Sequence, residues 1–419
     1  MTPRLSGADV RIRDLAIFQI RKDGGDLASW KSVASWSPVY LKERYTMFAA
    51  THIKVRAVLA AAVIGVVIAG VPAVASARPF LNRFGTISLL NTTVPATGSA
   101  AGDQNPYGVA VVPHSTGDLV RGGVLVSNFN NSQNQQGTGS SIVEISPSGQ
   151  AHVFAVVPPL TATPAVGLTT ALAVLPSGFV VVGSLPAPGG TLDGSAGGLT
   201  ILDPNGHVVT TLAGGDINGP WDMTAVDQGR NAVLFVTNVL NGTVAAGGAV
   251  VDGGTVVRIR LRIHHQHIRV TSNSVIATGF GEHTDPGALV VGPTGVGLGK
   301  HDVLYVADSN ANRIAAIPHA LTRNHVMGGG GLTVSSGGSL NDPLGLAIAP
   351  NDHIITVNGA DGNAVETTPS GDQVVTKQLV PNGAGDLFGL AVTPGEDGLY
   401  FVNDIGMPDP AANSLELLH

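Results

Sequence analysis

A chain of 419 residues without a single cysteine holds no disulfide, no thiolate metal site and no cysteine nucleophile. Its net charge is −7 and only 12% of its residues are charged, so it offers no broad basic surface and nucleic acid is excluded as a partner. Apolar residues reach 43% while aromatics stay at 5%, and 56 glycines and 26 prolines punctuate them, a composition of many short strands.

In chain order, residues 1–46 carry no strong period and precede Met47, from which "MFAATHIKVRAV" reads as an ordinary export start. Lys54 and Arg56 supply a positive flank, 57–71 is an uncharged apolar run broken by Pro72, and Ala75-Ser76-Ala77 gives the small-x-small pattern of a signal peptidase site. The run is shorter than the roughly 20 residues a spanning helix needs. The expectation is therefore an extension at 1–46 upstream of the true start, a signal peptide at 47–77 and a mature protein at 78–419, secreted or held in the cell envelope. An uncleaved anchor is the alternative, and would be the chain's one link to a membrane.

Beyond "RFGTISLLNTT" (83–93), one apolar phrase recurs: GVAVVP (108–113), ALAVLP (171–176), DMTAVD (222–227), ALVVGP (288–293), GLAIAP (345–350) and GLAVTP (389–394). Four copies follow a proline two residues upstream: Pro106, Pro220, Pro286 and Pro343. Each leads to a second run that ends on a small polar residue, as in VLVSN (124–128), VLFVTN (233–238), VLYVAD (303–308), HIITVN (353–358) and LYFVND (399–404). Third runs such as SIVEISPSG and AVETTPSG follow, and fourth runs such as HVFAVV (152–157) and VVTKQLV (374–380) close most units. The Pro-Ser-Gly turns between them are hairpin chemistry: proline presets one turn angle and glycine tolerates the next.

Four antiparallel strands per unit, repeated six times, predict an all-β, six-bladed β-propeller with each first run innermost. The last unit stops one strand short at His419, while 83–93 has no blade of its own. Pairing the amino-terminal strand with the carboxy-terminal blade closes the ring and removes its exposed edges. In this frame Tyr305-Val306-Ala307-Asp308-Ser309 followed by Asn312-Arg313-Ile314 resembles the signature of NHL-repeat β-propellers, which are related at fold level to the gluconolactonase and senescence-marker propellers. The resemblance extends as a pattern over 83–419. It speaks to fold and hardly to function.

Strand direction places the starts of first strands and the ends of second strands on one face. The first set holds Asn105, Asp222, Asp285, Asp342 and Asp386; the second holds Asn128, Asn238, Asp308, Asn358, Asn403 and Asp404. Such a ring of oxygens suits a hard cation such as calcium or magnesium, with Asp285, Asp342, Asp308 and His283 as candidate metal ligands. The same residue types also end strands because their short side chains bond nearby backbone, and on that account Asp308 mainly shapes its turn with Arg313 as partner.

The resemblance implies a metal-assisted hydrolase or a lyase at the channel as one reading. The lactonases' Gly-Glu-Gly-Pro-x-Trp is represented here only by "DQNPYG" (103–108) and "NGPWDM" (218–223), without the glutamate, and no second strand ends on the histidine that the lyases use. His264, His265 and His267 in "RIRLRIHHQHIRV" (258–270) alternate faces and read as a long solvated hairpin. Serine nucleophile elbows and phosphate-binding glycine loops are missing. Long polar loops at 130–141 and 241–254 decorate the channel face. The sequence thus favours a monomeric, exported binding module for a protein, peptide or saccharide, with the channel enzyme as the alternative.

Overall fold

The computed structural model describes residues 78–419, apart from 161–165, 168, 228, 265–266 and 406–411. The proposed export signal, the residues before it and His265 lie outside the described residues. Six antiparallel sheets form the six blades of a propeller, five of them four-stranded and the third five-stranded. The innermost strands are Gln104–Val111, Leu172–Val174, Pro220–Asp227, Pro293–Leu298, Pro343–Ile348 and Leu387–Val392, numbered here as blades 1 to 6.

The ring closes as the strand count requires. Ile87–Thr92 pairs with Ser414–Leu418 as the outer strand of blade 6, with Ile87 opposite Leu418 and Ser88 opposite Leu417. Just upstream, the amides of Phe80 and Leu81 donate to the buried Glu366 carboxylate of blade 5 at 2.7 and 2.8 Å. The amino-terminal segment is thereby fixed to two blades. Between blades the core is Val, Leu, Ile and Ala from facing sheets, in clusters such as Leu125, Ile142, Leu172, Val180 and Val182.

One local device recurs. In blades 1, 4, 5 and 6 the inner strand carries one extra residue against its partner: Pro106 faces Asn128 but Val109 faces Val126, and Pro343 faces Asn358 but Leu346 faces Thr356. Blade 3 makes the same shift between Pro220 and Asp222. Each shift is a β-bulge, which bends the strand and re-aims a side chain. At its centre stand Gly108, Gly295, Gly345 and Gly389, where an added Cβ would meet the neighbouring blade's carbonyl oxygen: Thr170, Leu344, Phe388 and Tyr107, at 2.0–2.4 Å. The x-Gly step, preceded by proline in blades 1, 4 and 5 and by Leu387 in blade 6, thus lets these inner strands pack backbone to backbone around the axis.

Two expectations need correction. The phrase at 288–293 is not the inner strand of blade 4. The fourth strand of blade 3, His267–Asp285, runs on and pairs with a short strand, Leu289–Val291, and Pro293-Thr294-Gly295 supplies the true Pro-x-Gly of blade 4. Asp285 therefore ends an outer strand. Nor is the long hairpin simply solvated: Arg258 is buried and donates to the Ala320 carbonyl at 2.9 Å, and Arg260 donates to that of Leu321.

Candidate functional site

The bulge turns one residue per inner strand toward the axis. In blades 1 and 3 to 6 these are Tyr107, Trp221, Thr294, Leu344 and Phe388, and all five line a cavity of about 330 Å³ at the face where the inner strands begin. Phe129, Val290 and Val291 complete its apolar wall, and Asn105, Asp342 and Asp404 are its polar members together with Asn134 and Gln136. The rings form one cluster on Tyr107: Phe388 stacks at 4.6 Å, Trp221 lies edge-on at 5.7 Å, and Phe129 is tilted at 6.1 Å. The Trp221 indole N–H donates to the Tyr107 hydroxyl at 2.8 Å. Burial pushes the Tyr107 phenol well above its usual range, so it stays neutral and keeps its own proton to donate.

Below the cavity the channel narrows to a pocket of about 20 Å³ between the bulge glycines. At the position of those glycines blade 3 carries Asp222. Its carboxylate accepts from Met223 N at 2.7 Å and from Val296 N of the next blade at 3.2 Å, while enclosure pushes it up to about 7. Asp222 also lines a depression of about 260 Å³ on the opposite face, beside Met223, Val296, Leu346 and Leu390. The neck thus holds a carboxyl group between two openings.

The residues singled out in the sequence divide. Asn105 and Asp342, both left-handed with φ of 62° and 56°, hold the turns that lead into blades 1 and 5 and line the cavity. Asp404 lines it too, pushed up to about 7 by burial and then by the nearby charge of Asp386. Burial also raises Asp342, Asp285 adds to the effect and His283 opposes it. Asp285 itself accepts the amides of Gly287 and Ala288 at 2.6 and 2.9 Å, shaping the turn that rims the cavity.

The other second-strand residues singled out, Asn128, Asn238, Asp308, Asn358 and Asn403, are buried and line none of it. Asn128 donates to the Thr93 carbonyl at 2.7 Å, Asn238 accepts from Asn218 N at 3.1 Å, and Asn358 accepts from Asn341 N at 3.1 Å. Asn403 donates to Glu416 at 2.7 Å. Asp308 pairs with Arg313 at 2.7 Å, and that guanidinium offsets part of the rise that burial gives its carboxyl. In these five blades the side chains pin segments that enter or leave the sheet.

Among the described residues no three His, Asp or Glu side chains gather within reach of one metal ion. His283 faces Asn310 at 3.1 Å. The loop at 130–141 does reach the cavity through Asn134 and Gln136, and Gln136 ties it to the Gly287 carbonyl at 2.5 Å. The aromatic cluster escaped the sequence reading. Its signal was there: aligned on Pro-x-Gly, the x position reads Tyr107, Trp221, Thr294, Leu344, and Phe388 takes the same place before Gly389.

No family model and no curated protein matches this sequence. Solved propellers do resemble the fold. The PQQ-bound aldose sugar dehydrogenase of Streptomyces coelicolor aligns with a TM-score of 0.51 at 15% identity, over 80% of this chain and 98% of the other. A gluconolactonase from Xanthomonas campestris gives 0.49 at 13%, over 80% and 90%. Virginiamycin B lyase from Staphylococcus aureus gives 0.42 at 14%, over 76% and 82%. The likeness to the dehydrogenase is one of fold alone.

Proposed function

We propose that the protein is an exported binding module that takes a small ligand, or the side chain of a larger one, into the aromatic cavity at its channel face. The observation that carries this is the convergence of Tyr107, Trp221, Phe388 and Phe129 on a cavity of about 330 Å³ with a few polar groups at its wall. That is the size and character of a small-molecule site: an apolar body with sparse, placed polar atoms. The carboxylates are spread around the mouth and neck rather than gathered on one point, which supports binding over metal-assisted hydrolysis. Export follows from the signal-like segment at 47–77, and the protein then works outside the cytoplasm.

Trp221 reports on the cavity directly. The other tryptophans, Trp30 and Trp36, lie in the amino-terminal extension, so the full chain carrying W30F and W36F has one indole. Titrating it with monosaccharides, short peptides, arylalkyl alcohols and arylalkyl amines should give a saturable change in Trp221 emission for at least one class. Ala288→Phe, which places a ring at the cavity wall, should abolish that change while the melting temperature holds. No saturable response from any class, or one that Ala288→Phe leaves intact, overturns the proposal.

A further inference from the structure

If the cavity is the binding site, its charge states which ligands it takes. Asp342 and Asp404 line it, and no Lys, Arg or His does so among the described residues. Neither carboxylate forms an ion pair with a basic side chain among the described residues. Each has a second acid beside it, Asp285 for Asp342 and Asp386 for Asp404, and in both cases the neighbour makes ionisation harder. Only His283, near Asp342, works against this. Asn105 also lines the cavity, at the turn into blade 1.

The cavity is therefore rich in carboxyl acceptors that no Lys or Arg neutralises among the described residues, and a bound cation would favour their ionised form. The same cavity is lined by aromatic rings, Tyr107 stacked with Phe388 and crossed by Trp221. A carboxylate or phosphate ligand would meet repulsion at the mouth. A neutral ligand would leave the acids as they are. An ammonium group brings up to three donors and a positive charge to acceptors that have neither, and its field is also attracted to aromatic faces. Acids focused at the mouth of a cleft also raise the local concentration of cations and speed their capture.

We infer that the cavity selects a small organic cation, an alkyl- or arylalkylamine, drawn by the field of Asp342 and Asp404 in its wall and seating its apolar body on Tyr107, Trp221 and Phe388. The inference rests on the binding reading above and narrows it to a ligand class.

Three probes of near-equal size separate charge from shape: 2-phenylethylamine, 2-phenylethanol and phenylacetate. In the full chain with W30F and W36F, Trp221 emission should report the amine binding at least about tenfold more tightly than the alcohol, a margin within reach of one desolvated cation–π contact. Phenylacetate should bind weakest. Asp404→Asn and Asp342→Asn should each erode the amine's advantage while leaving 2-phenylethanol affinity within about twofold, which also shows that the variants keep a folded cavity. Equal affinity for amine and alcohol, or tighter binding by any uncharged ligand of the wider panel, overturns the cation assignment and leaves the cavity standing as a binding site. If no probe and no member of the panel binds, both readings fall together.

Discussion

Glu282, on the fourth strand of blade 3, is fully buried, and neither of its carboxyl oxygens meets a donor at hydrogen-bonding geometry. Burial pushes it up to about 7 from an ordinary 4.5, and the amides of Asn241 and Leu240 offset this only in part. The folded-state pKa lies above the unfolded one, so folding takes up a proton between about pH 4.5 and 7. That contribution is present in acid and lost as the pH rises through 7. Glu282→Gln should therefore match the parent near pH 4 and exceed it at pH 8 by about 1–3 kcal/mol in urea unfolding. Equal stability at pH 8, or an advantage that grows in acid, contradicts the assignment. Residues of this kind show where sequence reading stops. That Asn128, Asn238, Asn358 and Asn403 end second strands is legible, since each follows an apolar run. Where their side chains point is not, because the same short polar group can close a turn or face a ligand. The structure gives these four to backbone and side-chain partners at the blade edges, and gives Asn105, Asp342 and Asp404 to the cavity.

At the scale of the element, the inner strand is defined by its bulge. Pro-x-Gly combines a fixed φ, a side chain for the cavity and a bare backbone for the neighbouring blade. The bare position is steric rather than conformational at Gly389: its φ is not positive, and an added Cβ would meet the Tyr107 carbonyl oxygen at 2.0 Å. Gly389→Ala should cost about 1–3 kcal/mol or more, as overpacking does, read as a lower urea midpoint. Gly85→Ala, with nothing within 4 Å of the new methyl, should stay within about 0.5 kcal/mol. Equal effects at the two sites would refute the packing role. The repeat made most inner strands readable, but blade 4 shows its weak point. Pro286 and Pro293 both precede apolar residues, and counting from Pro286 places the strand seven residues early. Only Pro293 is followed by the x-Gly that the bulge needs, and the overlong hairpin of blade 3 absorbs the rest. Once the copies are set on Pro-x-Gly, the aromatic positions align as well, so the cavity was readable in principle from the element that builds it.

At the scale of the molecule, the cavity exists because the ring is closed. Tyr107 in blade 1, Trp221 in blade 3 and Phe388 in blade 6 are up to 281 residues apart and meet only when blades 1 and 6 are adjacent. That adjacency follows from the chain's two ends: the first strand completes the last sheet, a topology legible in a missing fourth strand at one end and a spare strand at the other. The charge follows the same logic, for Asp342 and Asp404 come from separate blades to line one cavity, and neither forms an ion pair among the described residues. Because the chain lacks cysteine, closure can be tested with one introduced pair. Ser88 and Leu417 face each other across the seam, and directly opposed residues on antiparallel strands lie within disulfide reach. The full chain carrying S88C and L417C should form the bond in its native state under mild oxidation, leaving Trp221 emission unchanged and raising the melting temperature. Two thiols that stay free until denaturant is added would contradict the closed ring, and the cavity with it.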